Sequence, residues 1–131
     1  MRTHPFGRIA AMLVALEAAG LVALVVWQMI ALVSDDTASI DTAIALLVLT
    51  AIGAAAVASF AVAIWRGRSW GRSGAIVTQV LILAIALGAA TGSYAEPVSA
   101  LALGAPALGV LVLLVLAVRE AGASEREEPS A

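Results

Sequence analysis

The amino-acid sequence predicts an all-α membrane protein, an antiparallel bundle of four transmembrane helices with both termini in the cytoplasm. Three observations support this fold class. Hydrophobic residues make up 63% of the 131 residues and charged residues only 12%, whereas a soluble domain is about half apolar and a quarter charged. The apolar residues form four long runs separated by short polar segments. All of the arginines lie on one side of these runs when the chain is threaded through a bilayer.

The apolar runs predict spans at residues 9–33, 43–65, 74–92 and 98–118. Each run suits the roughly 17 to 25 helical residues that cross a hydrocarbon core. The runs lack the period-two alternation of a membrane β-barrel, so helices are the structure that satisfies their backbone hydrogen bonds in lipid. The first run is about twice as long as the apolar region of a signal peptide and contains Glu17, so we expect a retained helix.

The connections between the spans predict the topology. They are short, so successive spans are expected to be antiparallel neighbours. The first and third connections contain only acidic charges, which are Asp35, Asp36, Asp41 and Glu96. The basic charges precede span one, occupy the second connection "WRGRSWGRS" or follow span four, and they are Arg2, Arg8, Arg66, Arg68, Arg72, Arg119 and Arg126. Basic residues favour the cytoplasmic side, so both termini and the second connection are predicted to lie there.

The last span and the residues after it contain two further local signals. Pro97 suits the first turn of the fourth helix, where its missing N–H costs nothing. Pro106, within "GAPALG", predicts a kink near residues 102–106, because proline removes one intrahelical hydrogen bond. Residues 119–131 are short, charged and poor in apolar side chains, so they are predicted to form a disordered cytoplasmic tail.

Polar side chains at similar depths predict an intramembrane polar layer. Glu17 lies about 12 Å inside the first predicted span at helical rise, and an ionisable group at this depth is costly unless it is neutral, paired or hydrated. Ser59, Thr78 and Gln79 lie at a comparable depth in spans two and three. The layer has two interpretations: a proton-transferring or substrate-binding carboxyl with hydrogen-bonding neighbours, or a neutral Glu17 that fixes helix packing by hydrogen bonds.

Small residues recur at spacing four on three of the predicted spans. Such residues allow helix backbones to approach closely, so they predict association within the bundle or with another membrane protein. Span one also has Ala10, Gly20 and Gln28 on the side of Glu17, which indicates packing on two faces. The three ridges are Ala11, Ala15, Ala19 and Ala23; Ala51, Ala55, Ser59 and Ala63; and Ala84, Gly88 and Gly92.

No pattern in the sequence predicts catalytic, cofactor-binding or metal-binding residues, so an enzyme is not expected. The chain has no cysteine, and His4 has no partner for metal binding or catalysis. The spacing of the three aspartates in the first connection matches no defined cation loop, so they are expected to be solvated or to cap a helix.

The basic and aromatic residues of the second connection are predicted to be interface anchors. A phosphate-binding P-loop would need a lysine and a preceding strand, and the sequence has no lysine. A nucleic-acid site would be expected to show a wider basic surface. We therefore expect the two tryptophans to lie at the headgroup level of the bilayer and the arginines to contact anionic lipid headgroups. The anchors are Trp65, Arg66, Arg68, Trp70 and Arg72.

The stretch "WRGRSWGRSGAIVTQVLILAIA", residues 65–86, resembles a segment of small actinobacterial four-span integral membrane proteins. In that group, which has no assigned biochemical activity, a basic and aromatic hairpin precedes a helix that opens with a V-T-Q-like triplet, here Val77, Thr78 and Gln79. The resemblance implies a bacterial plasma-membrane location and the same topology. The chain is also similar, more distantly, to small multidrug-resistance transporters, which have four short helices and a carboxylate in the first.

Two functions follow as expectations. The first is a non-enzymatic, multi-pass plasma-membrane protein that acts by helix–helix association with itself or with another membrane protein, as the small-residue ridges indicate. The alternative is a small proton-coupled transporter of hydrophobic cations that uses Glu17.

Overall fold

The computed structural model describes residues 4–127, and this part of the chain forms four α-helices and no strand. All four helices are long and apolar enough to cross a membrane, with lengths of 29, 26, 23 and 31 residues. At about 1.5 Å per residue, each is longer than the roughly 30 Å hydrocarbon core. The predicted all-α fold with four membrane-length helices is confirmed. The helices are α1 (Pro5–Val33), α2 (Ile40–Trp65), α3 (Ser69–Thr91) and α4 (Pro97–Glu127).

The helices α1, α2 and α3 begin a few residues before the predicted spans, because their first turns are built from residues that tolerate the headgroup region. Pro5 begins α1, where its missing N–H would have had no intrahelical partner. Asp41 lies in the first turn of α2, where a negative charge interacts favourably with the helix dipole. Pro97 begins α4, and the Ser99 hydroxyl donates to the Glu96 carboxylate at 2.9 Å just before it.

The predicted connection at residues 65–73 is much shorter in the structure, because only residues 66–68 lie outside a helix. Gly67 adopts a φ of 73°, the left-handed conformation that glycine favours. Its N–H donates to the Ile64 carbonyl at 2.9 Å, and the Arg68 N–H donates to the Ala63 carbonyl at 2.8 Å. This Schellman arrangement ends α2 and allows α3 to begin immediately.

Two glycines near the start of α3, Gly71 and Gly74, allow α2 and α3 to pack closely. A Cβ atom at Gly71 would lie 2.5 Å from the Ala63 Cβ and 2.9 Å from the Ile64 backbone nitrogen. A Cβ atom at Gly74 would likewise clash with the ring of Phe60. The Phe60 ring also meets Trp70 edge to face, with ring centroids 6.0 Å apart. Any larger side chain at Gly71 would therefore push the two helices apart.

Helix α4 differs from the prediction at its C-terminal end. Residues 119–127, predicted to be disordered, continue the helix to Glu127. This segment is rich in alanine, glutamate and arginine, which have high helix propensity, so it extends a helix already nucleated by the span. Pro106 lies inside α4 without ending it. Arg2 and the last predicted tail residues, 128–131, lie outside the described residues.

The helices pack in a ring: α1 contacts α2 and α4, and α3 also contacts α2 and α4. Most large apolar side chains point outward, as expected where the surrounding solvent is lipid. Small side chains dominate the interior, so the helices approach closely around a thin core. The core cluster consists of Ala10, Ala11, Val14, Ala18, Val57, Ala61, Ile64, Ala75, Val110 and Leu114.

Candidate functional site

The structure brings Glu17 and Gln79 together. The Gln79 side-chain nitrogen Nε2 donates to the Glu17 oxygen Oε2 at 2.7 Å. Gln79 is fully buried, at 0% exposure, whereas Glu17 is half-buried. The other amide oxygen of Gln79, Oε1, is buried without a hydrogen-bond partner among the described residues. The pair therefore forms one short hydrogen bond inside an apolar protein, and one of its buried polar atoms has no hydrogen-bond partner among the described residues.

The Glu17–Gln79 bond joins α1 to α3, which are not among the closely packed helix pairs. Glu17 lies twelve residues after the start of α1 and Gln79 ten residues after the start of α3. At helical rise these positions are about 18 Å and about 15 Å along their helices. The two side chains thus meet at nearly equal depth and form a polar link between diagonal helices.

Glu17 also lines a cleft of about 260 Å³ to which all four of the described helices contribute. Gly20 lines it from α1, Val57 from α2, Thr78 from α3 and Pro106 from α4. The remaining lining is apolar, so Glu17 and Thr78 are the polar side chains that a molecule in the cleft would meet. The cleft is close to the lower end of the volumes of small-molecule sites, which begin at about 300 Å³.

Thr78 and Ser59 have different positions in relation to this cleft. The Thr78 hydroxyl donates to the Gly74 carbonyl at 3.0 Å within its own helix, while its side chain lines the cleft. The Ser59 hydroxyl donates to the Ala55 carbonyl at 2.7 Å, and Ser59 is exposed on the outer face of α2. Of the four residues predicted to form the polar layer, Ser59 therefore lies apart from the other three.

A second polar contact between helices was not predicted from the sequence. The Gln28 side-chain nitrogen Nε2 donates to the Thr50 hydroxyl at 3.1 Å and links α1 to α2. The Gln28 oxygen Oε1 is buried without a hydrogen-bond partner in the described part of the chain. The signal was available in the sequence, because both residues are isolated polar positions in successive spans.

The three ridges of small residues lie mainly on the outside of the protein. On α2, Ala51, Ala55 and Ser59 are exposed, and only Ala63 is buried, near Gly71. The same holds for α1 and α3, where the exposed ridge residues are Ala15, Ala19, Ala23, Ala84, Gly88 and Gly92. Within the chain, packing therefore uses other small residues, and these ridges stay uncovered.

The predicted interface anchors surround the α2–α3 connection. Trp65 and Trp70 are 54% and 50% exposed, so each presents half of its surface outside the protein. The Arg8 guanidinium lies over the Trp65 ring, 5.2 Å from its centroid, which is within cation–π range. Arg8 at the start of α1 and Trp65 at the end of α2 are therefore adjacent.

The acidic connection between α1 and α2 forms a backbone turn. Asp35 has a φ of 56°, and the Asp36 N–H donates to the Ala31 carbonyl at 3.2 Å, so this turn ends α1. Within residues 4–127, no group of three or more His, Cys, Asp or Glu side chains is arranged to hold a metal ion.

Comparison with known proteins found no match to this chain. No protein-family model, curated protein or solved structure matches the chain.

Proposed function

We propose that this chain is a non-enzymatic, multi-pass protein of the bacterial plasma membrane that acts through helix–helix association with a second copy or with another membrane protein. The observation that supports this function best is the exposed ridge of α2. Ala51, Ala55 and Ser59 lie on the outer face of a helix long and apolar enough to span a membrane. Small residues in such a position leave a shallow groove into which a neighbouring helix can pack.

The proposed orientation is an antiparallel bundle with the N-terminus and C-terminus in the cytoplasm. The connections of six, three and five residues are too short to return a chain across a membrane, so successive helices run in opposite directions. Arg66 and Arg68 lie in the second connection, Arg8 near the start of α1 and Arg119 near the end of α4. This distribution favours the cytoplasm for that side. The resemblance of residues 65–86 to small actinobacterial four-span proteins supports the same proposal.

Energy transfer between labelled copies in lipid bilayers tests association. The full chain, labelled at an introduced Ala123→Cys, is reconstituted over a range of protein-to-lipid ratios. Energy transfer should rise with protein density, and Ala55→Leu should weaken association by at least about fivefold, because added bulk at a close contact costs roughly 1–3 kcal/mol. Ala105→Leu adds the same bulk to an exposed position of α4 and should have no such effect. A chain that is monomeric at every density would remove the support for self-association.

The cleft beside Glu17 favours a second candidate function, a proton-coupled transporter of hydrophobic cations. An ionisable residue inside a membrane protein is a functional candidate by default, and here it faces an otherwise largely apolar cleft. A hydrophobic cation could displace the proton of Glu17 and occupy the space beside Thr78 and Val57. Gln79 would hold the carboxyl in place through its 2.7 Å hydrogen bond.

Proton release on cation binding tests this second candidate. Purified chain in weakly buffered detergent should release protons when tetraphenylphosphonium or a related cation is added. Glu17→Gln keeps the shape of the side chain and an acceptor for Gln79, and it should abolish the release. Asp36→Asn removes a carboxyl from the first connection and should not change it. Wild-type protein that gives no release with a broad panel of cations would exclude this function.

A further inference from the structure

A large cavity lies at the end of the protein where the arginines gather. Its volume is about 630 Å³, within the range of about 300–1,000 Å³ typical of ligand sites. Three separate parts of the chain line it: the start of α1, the segment from the end of α2 to the first turn of α3, and the end of α4. A cavity assembled from such distant segments exists only in the folded protein.

The cavity has a strongly basic lining. Arg8 contributes from α1, Arg66 from the connection and Arg72 from α3, and His4 also lines it. Glu125 of α4 is the acidic member of this lining. Three arginines against one glutamate leave an excess of two positive charges, with histidine counted as neutral. A cavity with this excess favours an anionic ligand.

Within residues 4–127, the contacts of these arginines do not neutralise their charge. Arg8 lies over the Trp65 ring, and Arg72 donates a long, 3.5 Å hydrogen bond to the Gly67 carbonyl. A ring and a carbonyl carry no formal negative charge, so the guanidinium groups remain able to bind an anion. Guanidinium groups present parallel N–H donors that match the oxygens of a phosphate, and several of them can hold one phosphate together.

We propose that this cavity binds a phosphate group, either that of an anionic phospholipid headgroup or that of a soluble phosphate. Trp65 lines the cavity, and its half-exposed ring is suited to the headgroup level of a bilayer, where lipid phosphates lie. The site is distinct from the outer ridge of α2 and does not depend on helix association. It includes Arg8 and excludes Arg68, which lines a different groove on the outer side of α2 with Trp70.

Lipid retention in nanodiscs tests the proposal. The full chain is placed in phosphatidylcholine nanodiscs that contain a minor fraction of phosphatidylglycerol, and the lipids that remain bound after release are counted by native mass spectrometry. Wild-type protein should retain phosphatidylglycerol selectively. Arg66→Gln and Arg72→Gln should each lower its retention by about fivefold, the effect of one arginine near an anionic surface. Arg8→Gln should do the same, because Arg8 lines the same cavity.

Arg119→Gln is the matched control, because it removes the same charge from α4 near the same end of the protein but lies outside the cavity. It should change retention by less than about twofold, since an exposed charge is screened by salt. In a second arm, inorganic phosphate is titrated into the detergent-solubilised protein by calorimetry. Phosphatidylglycerol retention without phosphate binding identifies the lipid as the source, and the reverse result identifies a soluble phosphate. Binding of neither probe, or an Arg119→Gln effect as large as that of Arg66→Gln, would overturn the proposal.

Discussion

Removing the acceptor of the Glu17–Gln79 hydrogen bond should lower the free energy of unfolding of the protein. In the structure Gln79 is fully buried, and its Oε1 already lacks a hydrogen-bond partner within residues 4–127. Glu17→Leu would leave the Nε2 donor unpaired as well, and a buried polar group left without its partner costs about 1–3 kcal/mol. Glu17→Gln preserves an acceptor and should stay within about 0.5 kcal/mol of wild type, since interhelical hydrogen bonds in membranes average only about 0.6 kcal/mol.

The double variant Glu17→Leu with Gln79→Leu makes this prediction quantitative. Replacing both partners by apolar side chains leaves no orphaned group, so the double variant should be less destabilised than the sum of the two single variants. The coupling should reach at least about 0.6 kcal/mol. Unfolding in mixed micelles with increasing SDS, followed by circular dichroism, measures each value. Ser59→Ala, which removes a hydroxyl bonded only within its own helix, is the control. If the effects of the two single variants add up to the effect of the double variant, Glu17 and Gln79 are not coupled and the prediction is wrong.

Three other predictions concern the helix hairpins and the topology. Gly71→Ala should destabilise the protein by about 1–3 kcal/mol because its Cβ would meet Ala63, whereas Gly88→Ala, with nothing within 4 Å, should be neutral or stabilising in the same SDS titration. Thr50→Val should cost about 1 kcal/mol by removing the acceptor of Gln28, and no loss would indicate that this bond is not formed in lipid. Single cysteines introduced into this cysteine-free chain at Asp36 and Tyr94 should react with a membrane-impermeant maleimide in intact cells, and those at Arg68 and Ala123 only after permeabilisation. The reverse labelling pattern would contradict the proposed orientation.

The number of helices in residues 4–127 could be predicted because a bilayer imposes strict requirements on a chain. Apolar runs of sufficient length must form helices in lipid, and the ends of α1 and α2 at Val33 and Trp65 agree with the predicted spans. Helical rise alone also placed Glu17 and Gln79 at comparable positions along their helices, and the structure joins them by a hydrogen bond. These features depend only on position along a helix axis, and this position follows directly from residue number.

The rotation of each helix about its axis could not be predicted in the same way. A helix that is apolar all round has no hydrophobic face to orient it, so nothing in α2 indicated that Ser59 would lie outside. The packing roles of Gly71, in the predicted connection, and Gly74, at the start of the third predicted span, could not be predicted, because they depend on Ala63 and Phe60 of the preceding helix. The helical continuation to Glu127 was missed because charge and low hydrophobicity were weighted above helix propensity.

Disulfide cross-linking across the outer ridge of α2 tests the proposed association most directly. The chain contains no cysteine, so each introduced cysteine reports one position. If two copies pack through this ridge, Ala55→Cys should form a cross-linked dimer in native membranes, because a disulfide requires Cα atoms within roughly 4.4–6.8 Å of each other. Ala105→Cys, on the exposed side of α4, should remain monomeric under the same oxidant. Equal cross-linking at Ala55 and Ala105, or none at Ala51, Ala55 and Ser59, would contradict self-association through α2.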